Sequence, residues 1–206
     1  MRFSQLLKQV LLVCVSLFAL TGQAIADPWS DSERAYDAGN YEEAVKLIRP
    51  LAEQGKPSAQ GLLGVMYKEG KGVPQDYKEA AKWYQLSAEQ GNDRAQVNLG
   101  NLYYHGEGVQ QNYKEAVKWY RLSAEQGNVG AQIYLSGMYA SGQGVPQDFV
   151  LENMWMNIAA ANATDSDTQE KIAEMRDSSS KSMTASQIAE AQELARKCTT
   201  NKFKGC

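Results

Sequence analysis

The feature that most constrains the fold is a self-similarity with a period of 36 residues. Ala59-Gln60, Ala95-Gln96 and Ala131-Gln132 recur at that spacing, as do Leu63, Leu99 and Leu135, and Tyr67, Tyr103 and Tyr139. Trp83, Trp119 and Trp155 follow the same rule. So do the glycine pairs Gly70/Gly72, Gly106/Gly108 and Gly142/Gly144, each followed by valine at Val73, Val109 or Val145. A period between about 20 and 50 residues signals stacked supersecondary units, each too small to bury its apolar face alone.

Each unit reads as two helices. In the first, Ala59, Leu63 and Tyr67 are four residues apart on one face, with Leu62 and Met66 beside them. Gly70 stops this helix, since glycine accepts the left-handed conformation common at helix ends, and Pro74 and Pro146 stiffen two of the three loops that follow. Asp76 opens the second helix as a cap, with Glu79 as its capping-box partner; Asn112 with Glu115, and Asn40 with Glu43, repeat the arrangement. Ala80, Trp83, Tyr84 and Ala88 form its buried face and Gly91 ends it. Gly64 and Gly100, mid-helix where glycine costs about 1 kcal/mol, mark close helix–helix approach.

This register predicts a partial unit at 30–57 and full units at 58–93, 94–129 and 130–163. The last unit degrades: Ser136 replaces the close-contact glycine, Glu152 the buried alanine and Leu151 the capping glutamate, while Ala163 stands where Gly91 and Gly127 end earlier helices. Terminal repeats depart from the pattern because one side meets water. Beyond it, Asp165 to Ser182 is polar, with a short helix expected around Ile172 and Met175 and a break at Ser178-Ser179-Ser180. Thr184 with Gln187 is another capping box, and Ile188, Ala191, Leu194 and Ala195 give the following helix one apolar stripe suited to closing the array.

Residues 1–26 read as a cleaved signal peptide. Arg2 and Lys8 precede an eleven-residue apolar run from Val10 to Leu20, too short for a membrane span of roughly 20 residues, and Ala24-Ile25-Ala26 supplies a cleavage site. Cys14 fits a lipoprotein signal poorly, because bulky Val13 precedes it. Cleavage after Ala26 removes two positive charges and takes the formal net charge from -3 to -5. The expected compartment is periplasmic or extracellular, with no stable membrane insertion after cleavage. The mature chain keeps Cys198 and Cys206, which in an oxidising compartment suggest one short-loop disulfide closing the tail of a C-terminal region at 164–206; two free thiols are the alternative. A net negative chain without a basic run argues against nucleic acid as partner. With 43% hydrophobic and 22% charged residues, the composition is that of a folded domain.

The recurring string Ala59-Gln60, Leu63-Gly64, Tyr67, Gly70-Lys71-Gly72-Val73, Asp76-Tyr77, Ala80, Trp83-Tyr84, Ala88 and Gly91 resembles the Sel1-like repeat, a relative of the tetratricopeptide repeat, in an exported bacterial member. The resemblance covers residues 30–163, and Met183-Thr184 through Ile188-Ala189-Glu190-Ala191 resembles the closing helix of bacterial members. It implies an all-α, right-handed α/α superhelical solenoid of helix pairs with a C-terminal capping helix, and an adaptor role without catalytic residues or cofactors. Some secreted relatives carry a disulfide in every repeat and bind β-lactams; no repeat here contains a cysteine, so that property does not carry over.

Motifs of catalysis are scarce. His105 is the lone histidine and occupies the helix-end slot held elsewhere by Glu69 and Ser141. It has no Cys or Glu at metal-ligand spacing, and the Gly-x-Gly loops lack the strand and the downstream glycine or lysine of a phosphate cradle. The aromatic series sits at helical spacing and reads as core. Lys68, Lys71, Lys78 and Lys82, matched by Glu69, Asp76 and Glu79, read as a solvated face.

Function is therefore sought where the units differ, since stacking positions must repeat and partner-contacting positions need not. The varying slots of the first helices are Ser58/Arg94/Gly130, Gly61/Val97/Ile133, Leu62/Asn98/Tyr134, Val65/Asn101/Gly137 and Lys68/Tyr104/Ala140. They step by three or four and form one stripe per helix. Asn98 and Asn101 can each donate to and accept from a peptide backbone, with Leu62, Val65, Tyr104 and Tyr134 offering apolar contact. The reading is a scaffold that binds another protein of the cell envelope on its concave wall. Alternatives are a regulator masking a membrane sensor and an envelope-acting hydrolase resembling a β-lactamase, for which only Ser or Tyr beside His105 is available.

Overall fold

The computed structural model describes residues 27–203. It contains ten helices and no strand among the described residues: α1 (Pro28–Asp37), α2 (Tyr41–Glu53), α3 (Pro57–Glu69), α4 (Tyr77–Glu89), α5 (Asp93–His105), α6 (Tyr113–Ala124), α7 (Val129–Ser141), α8 (Phe149–Asn162), α9 (Ser166–Ser180) and α10 (Ala185–Thr200). Through α8 each helix packs mainly on the helices before and after it, and α9 and α10 both pack on α8. Contacts are thus made between neighbours along the chain, as in a solenoid. The expected signal peptide lies outside the described residues.

The helix boundaries follow the local chemistry. Gly70, Gly106 and Gly142 end α3, α5 and α7 in the left-handed conformation, with φ of 68°, 74° and 71°. The main chain then returns, and the Asp76, Asn112 and Asp148 N–H groups donate to the Tyr67, Tyr103 and Tyr139 carbonyls at 2.9–3.0 Å. The Asp76 carboxylate accepts from the Lys78 and Glu79 N–H groups, and Asn112 does the same for Lys114 and Glu115. The reciprocal half of a capping box forms only at Thr184/Gln187 among the expected boxes. Asn40 stands at the N-cap of α2 but makes no side-chain capping bond.

Packing explains the period. One core cluster joins Ala44 and Ile48 of α2 to Ala59, Leu63 and Met66 of α3 and to Trp83 of α4. The next joins Ala80 and Tyr84 to Ala95, Leu99 and Trp119, and the third joins Ala116 and Tyr120 to Leu135 and Trp155. Each tryptophan therefore reaches back to the preceding unit. Leu63, Leu99 and Leu135 are 0–1% exposed, and such burial contributes about 1.5–3 kcal/mol per side chain. Gly100 faces Tyr120 so closely that a Cβ there would lie 2.6 Å from the ring, which confirms the close approach expected at this glycine.

A buried polar ladder fixes the stacking register. The side-chain amides of Gln60, Gln96 and Gln132 donate to the Ala52, Ala88 and Ala124 carbonyls at the ends of the preceding second helices, at 3.0–3.2 Å. Their Oε1 atoms accept from Gln90, Gln126 and Asn162. The loops add a second tie. At Gly108, with φ +69°, a Cβ would lie 2.2 Å from the Tyr77 carbonyl oxygen, so the loop of one unit rests directly on the backbone that opens the second helix of the unit before it.

The end of the array differs from expectation in one element. The segment read as polar with a short helix is a 15-residue helix, α9. It holds on to α8 through Ile172, which is 1% exposed and packs with Met156, Ala159 and Ala163. Met175 remains exposed. A single apolar anchor gives too weak a periodicity to be read in advance. The seal between α8 and α9 is otherwise polar: the Asn153 amide donates to the Ser180 hydroxyl at 2.7 Å, and the Arg176 guanidinium reaches Asn157 at 3.5 Å. Glu152, buried in the alanine slot, has one carboxylate oxygen with no partner among the described residues, and burial raises its pKa. The closing helix α10 docks as expected, placing Ala191, Ala195 and Cys198 in the last core cluster. Cys206 lies outside the described residues.

Candidate functional site

The first helices α3, α5 and α7 present their varying slots to two hollows of about 540 Å³ each. One, the amino-terminal hollow, is lined by Leu62 and Val65 of α3, Asn98 and Arg94 of α5, and the inner face of α1. The other, the central hollow, is lined by Asn101 and Tyr104 of α5, Tyr134 and Ile133 of α7, and Tyr120 of α6. Because Arg94, Asn98, Asn101 and His105 are spaced by four, three and four, one face of α5 serves both hollows. The structure thus divides the six stripe residues between two adjoining hollows: Leu62, Val65 and Asn98 in one, Asn101, Tyr104 and Tyr134 in the other.

The central hollow is built on tyrosine. Tyr134 is 46% exposed and stacks on Tyr120, with centroids 5.1 Å apart and planes at 20°. The Tyr120 hydroxyl donates to Asn101 Oδ1 at 2.7 Å. Burial raises the Tyr120 pKa, so the phenol stays a neutral donor and the Asn101 carbonyl oxygen is already engaged. One of the two lone pairs of that oxygen is thus taken, which leaves the Asn101 Nδ2 group as the donor facing a ligand. The repeat shows why asparagine stands here: the equivalent Tyr84 hydroxyl, with Val65 in the Asn101 slot, is buried with no partner among the described residues. Tyr104 donates to Gln143 Oε1 at 3.2 Å and meets Tyr113 edge to face at 5.3 Å.

In the amino-terminal hollow Asn98 is half-buried and makes no side-chain hydrogen bond among the described residues, so both ends of its amide are available. Trp29, Glu33, Tyr36 and Asp37 of α1 complete this hollow. The sequence reading missed them because the loop after α1 is shorter than those after α3, α5 and α7, which puts α1 out of the 36-residue register; their i, i+4, i+7, i+8 spacing was the available signal. Tyr120 was missed because it repeats and was assigned wholly to the core. His105 is exposed as expected, but at the rim of the central hollow, against Tyr104 at 4.9 Å.

The lysine face also needs correction at one position. Lys71 is only 32% exposed at its side chain. It pairs with Glu69 at 2.8 Å, donates to the Tyr36 hydroxyl at 3.0 Å, and lies 4.8 and 5.1 Å from the Tyr36 and Tyr41 ring centroids. Its hydrogen bond to Glu69, and then that to Tyr36, raise its pKa. Among the described residues no group of His, Cys, Asp and Glu could hold a metal ion, and no helix is long and apolar enough to cross a membrane.

Stacked helical hairpins with a repeating core and a varying stripe along the first helices define an α-solenoid. The Sel1 repeat matches residues 33–56, 57–92, 93–128 and 129–163, and the chain belongs to that family. Sel1 repeats generally mediate protein–protein interaction and are typically non-catalytic scaffolds. Among solved structures, the chain is similar to a protective antigen present in uropathogenic Escherichia coli strains that displays an SLR fold, at 35% identity and a TM-score of 0.64. That match covers 78% of this chain and 34% of the antigen, so the chain spans about a third of that protein's length. A Sel1 repeat protein from Oxalobacter formigenes is similar at 27% identity and a TM-score of 0.63, over 84% of this chain and 76% of the other. No curated protein matches the chain significantly.

Proposed function

We propose that this chain is a periplasmic or secreted scaffold that holds a segment of another exported protein along its concave wall, without turnover. The observation that carries the reading is the coincidence of two independent patterns. Of the fifteen residues in the varying slots, twelve line the two hollows and Val97, Gly130 and Ala140 do not, while most of the slots that repeat are buried in the core and Tyr120 belongs to both sets. Hollows of this size hold several side chains of an extended segment. Asn98 offers a backbone-reading amide, and the Tyr120–Tyr134 pair offers a flat apolar platform whose ordering costs little rotamer entropy. Export is part of the same proposal, as is a Cys198–Cys206 disulfide that closes the tail.

The test is crosslinking of the protein in intact envelopes followed by mass spectrometry, with wild type beside Asn98→Lys and Tyr134→Glu. Both sites avoid the Asn101–Tyr120 bond, and circular dichroism of each variant checks that it is folded. The expected result is one dominant captured protein, lost in either variant. Capture unchanged by both variants would show that the wall is idle. A cytoplasmic protein that retains Met1 would overturn the export reading, whereas a mature start at Asp27 supports it.

A further inference from the structure

The three loop junctions between units are built alike, yet only in two of them are the polar side chains paired with one another. At the first, Lys71 is tied to Tyr36 and Glu69 and lies over Tyr41. At the third, Gln143 stands in the Lys71 slot, accepting from the Tyr104 hydroxyl at 3.2 Å and the Ser141 hydroxyl at 3.3 Å, beside Tyr113. The two are geometrically parallel, with Tyr36–Tyr41 and Tyr104–Tyr113 both meeting edge to face at 5.3 Å. At the middle junction the same slots hold Lys68, Tyr77, His105 and Glu107, and all four line the central hollow. Neither the Lys68 ammonium nor the Glu107 carboxylate makes a hydrogen bond or ion pair among the described residues.

We propose that this open junction reads charge on the bound segment: the central hollow takes an extended peptide in which an aromatic or aliphatic side chain is flanked by one acidic and one basic residue. The apolar side chain lies on Tyr134, the acid pairs with Lys68, and the base pairs with Glu107 beside the Tyr77 ring. The inference rests on the reading of this wall as a docking surface and specifies what docks there. Charge complementarity decides the occupant. Lys68 and Glu107 belong to the one junction of three whose charged groups are not paired within the chain among the described residues, and both line the central hollow, so a partner carrying both signs is complementary to it. The closed first junction shows the chemistry, since there an ammonium sits over tyrosine rings against a carboxylate, with both partners supplied internally.

The experiment measures fluorescence anisotropy of the mature full-length chain with four end-capped synthetic peptides that share a central Phe. Its flanking residues are Lys and Glu, two Gln, two Lys, or two Glu. The mixed-charge peptide is expected to bind about fivefold tighter than the Gln peptide, an advantage that shrinks in high salt because exposed charges are screened. Lys68→Glu should move the preference to the two-Lys peptide, and Glu107→Lys to the two-Glu peptide. A ranking that neither variant changes overturns charge reading. If that same unchanged binding is still lost in Tyr134→Glu, the wall remains a docking surface and only the inference falls. No binding of any peptide, with envelope capture still sensitive to Asn98→Lys, likewise overturns the inference and leaves the scaffold reading standing.

Discussion

Gly108→Ala and Gly91→Ala form a matched pair that measures what one loop contact contributes to the stack. Both glycines have positive φ, +69° and +89°, so alanine at either suffers the left-handed penalty of about 1–2 kcal/mol. At Gly91 an added Cβ meets nothing within 4 Å, and the penalty ends there. At Gly108 it would lie 2.2 Å from the Tyr77 oxygen, 2.3 Å from its carbonyl carbon and 2.7 Å from the Lys78 nitrogen. Those are backbone atoms at the start of a helix and cannot rotate away, whereas a carbon needs about 3.5 Å to such neighbours. Overpacking of this kind costs about 1–3 kcal/mol more, so Gly108→Ala is expected to lose roughly 2–5 kcal/mol against 1–2 for Gly91→Ala. Urea unfolding followed by far-ultraviolet circular dichroism and by tryptophan fluorescence reads the difference. Because repeat stability is a sum of unit and interface contributions, the Gly108 variant should also lose coincidence between the two probes. Equal destabilisation by the two substitutions would refute the idea that the loops hold neighbouring units together.

Three further outcomes follow from the buried polar groups and the end of the array. Glu152→Ala, which copies Ala80 and Ala116, should stabilise at neutral pH by on the order of 1–3 kcal/mol, because it removes an unpartnered buried carboxylate oxygen. Burial raises the Glu152 pKa, so in the window above the unfolded glutamate value the native state holds the extra proton; wild-type stability should fall as pH rises through the folded pKa, and the variant should lack that slope. Urea midpoints compared from pH 4 to 8 check both statements, and an identical slope in the two proteins would contradict them. Gln96→Ala removes two hydrogen bonds of the ladder, those to the Ala88 carbonyl and from the Gln126 amide, and at about 0.5–1.5 kcal/mol per bond should lose about 1–3 kcal/mol, measured as a shift of the thermal midpoint. Ile172→Ala removes the anchor of α9 and should cost about 2–5 kcal/mol locally. Hydrogen exchange should then accelerate in α9 while α3 to α6 keep their protection.

What could be read from the sequence was whatever repeats. Leu63, Tyr67, Trp83 and their copies announce the hairpins, the glycines announce the turns, and the capping signature at Thr184 announces α10. The same logic located the stripe, since Leu62, Asn98 and Tyr134 differ at one slot and line the hollows. Features made of partnerships were hidden. The Ala-Gln pairs were visible as a pattern, but nothing in a linear string shows that the glutamine reaches the carbonyl of the preceding unit. Gln75, Gln111 and Gln147 also recur at 36 residues, and their amides donate to the Lys68, Tyr104 and Ala140 carbonyls, partners that spacing alone does not reveal. Asn101 read as a free amide because its bond to Tyr120 crosses from one helix to another. The contribution of α1 escaped because its loop to α2 is shorter, so its residues fall out of register with every later copy.

The seating of Gly72, Gly108 and Gly144 on the backbone at Tyr41, Tyr77 and Tyr113 gives the array a polarity of assembly. Every full unit needs a finished helix start upstream to rest on, and provides one for the unit downstream. A chain emerging amino end first meets these seats in the order in which it is made. Duplication of an interior unit brings both seat and occupant with it, so such an array lengthens by whole units without inventing a new joint.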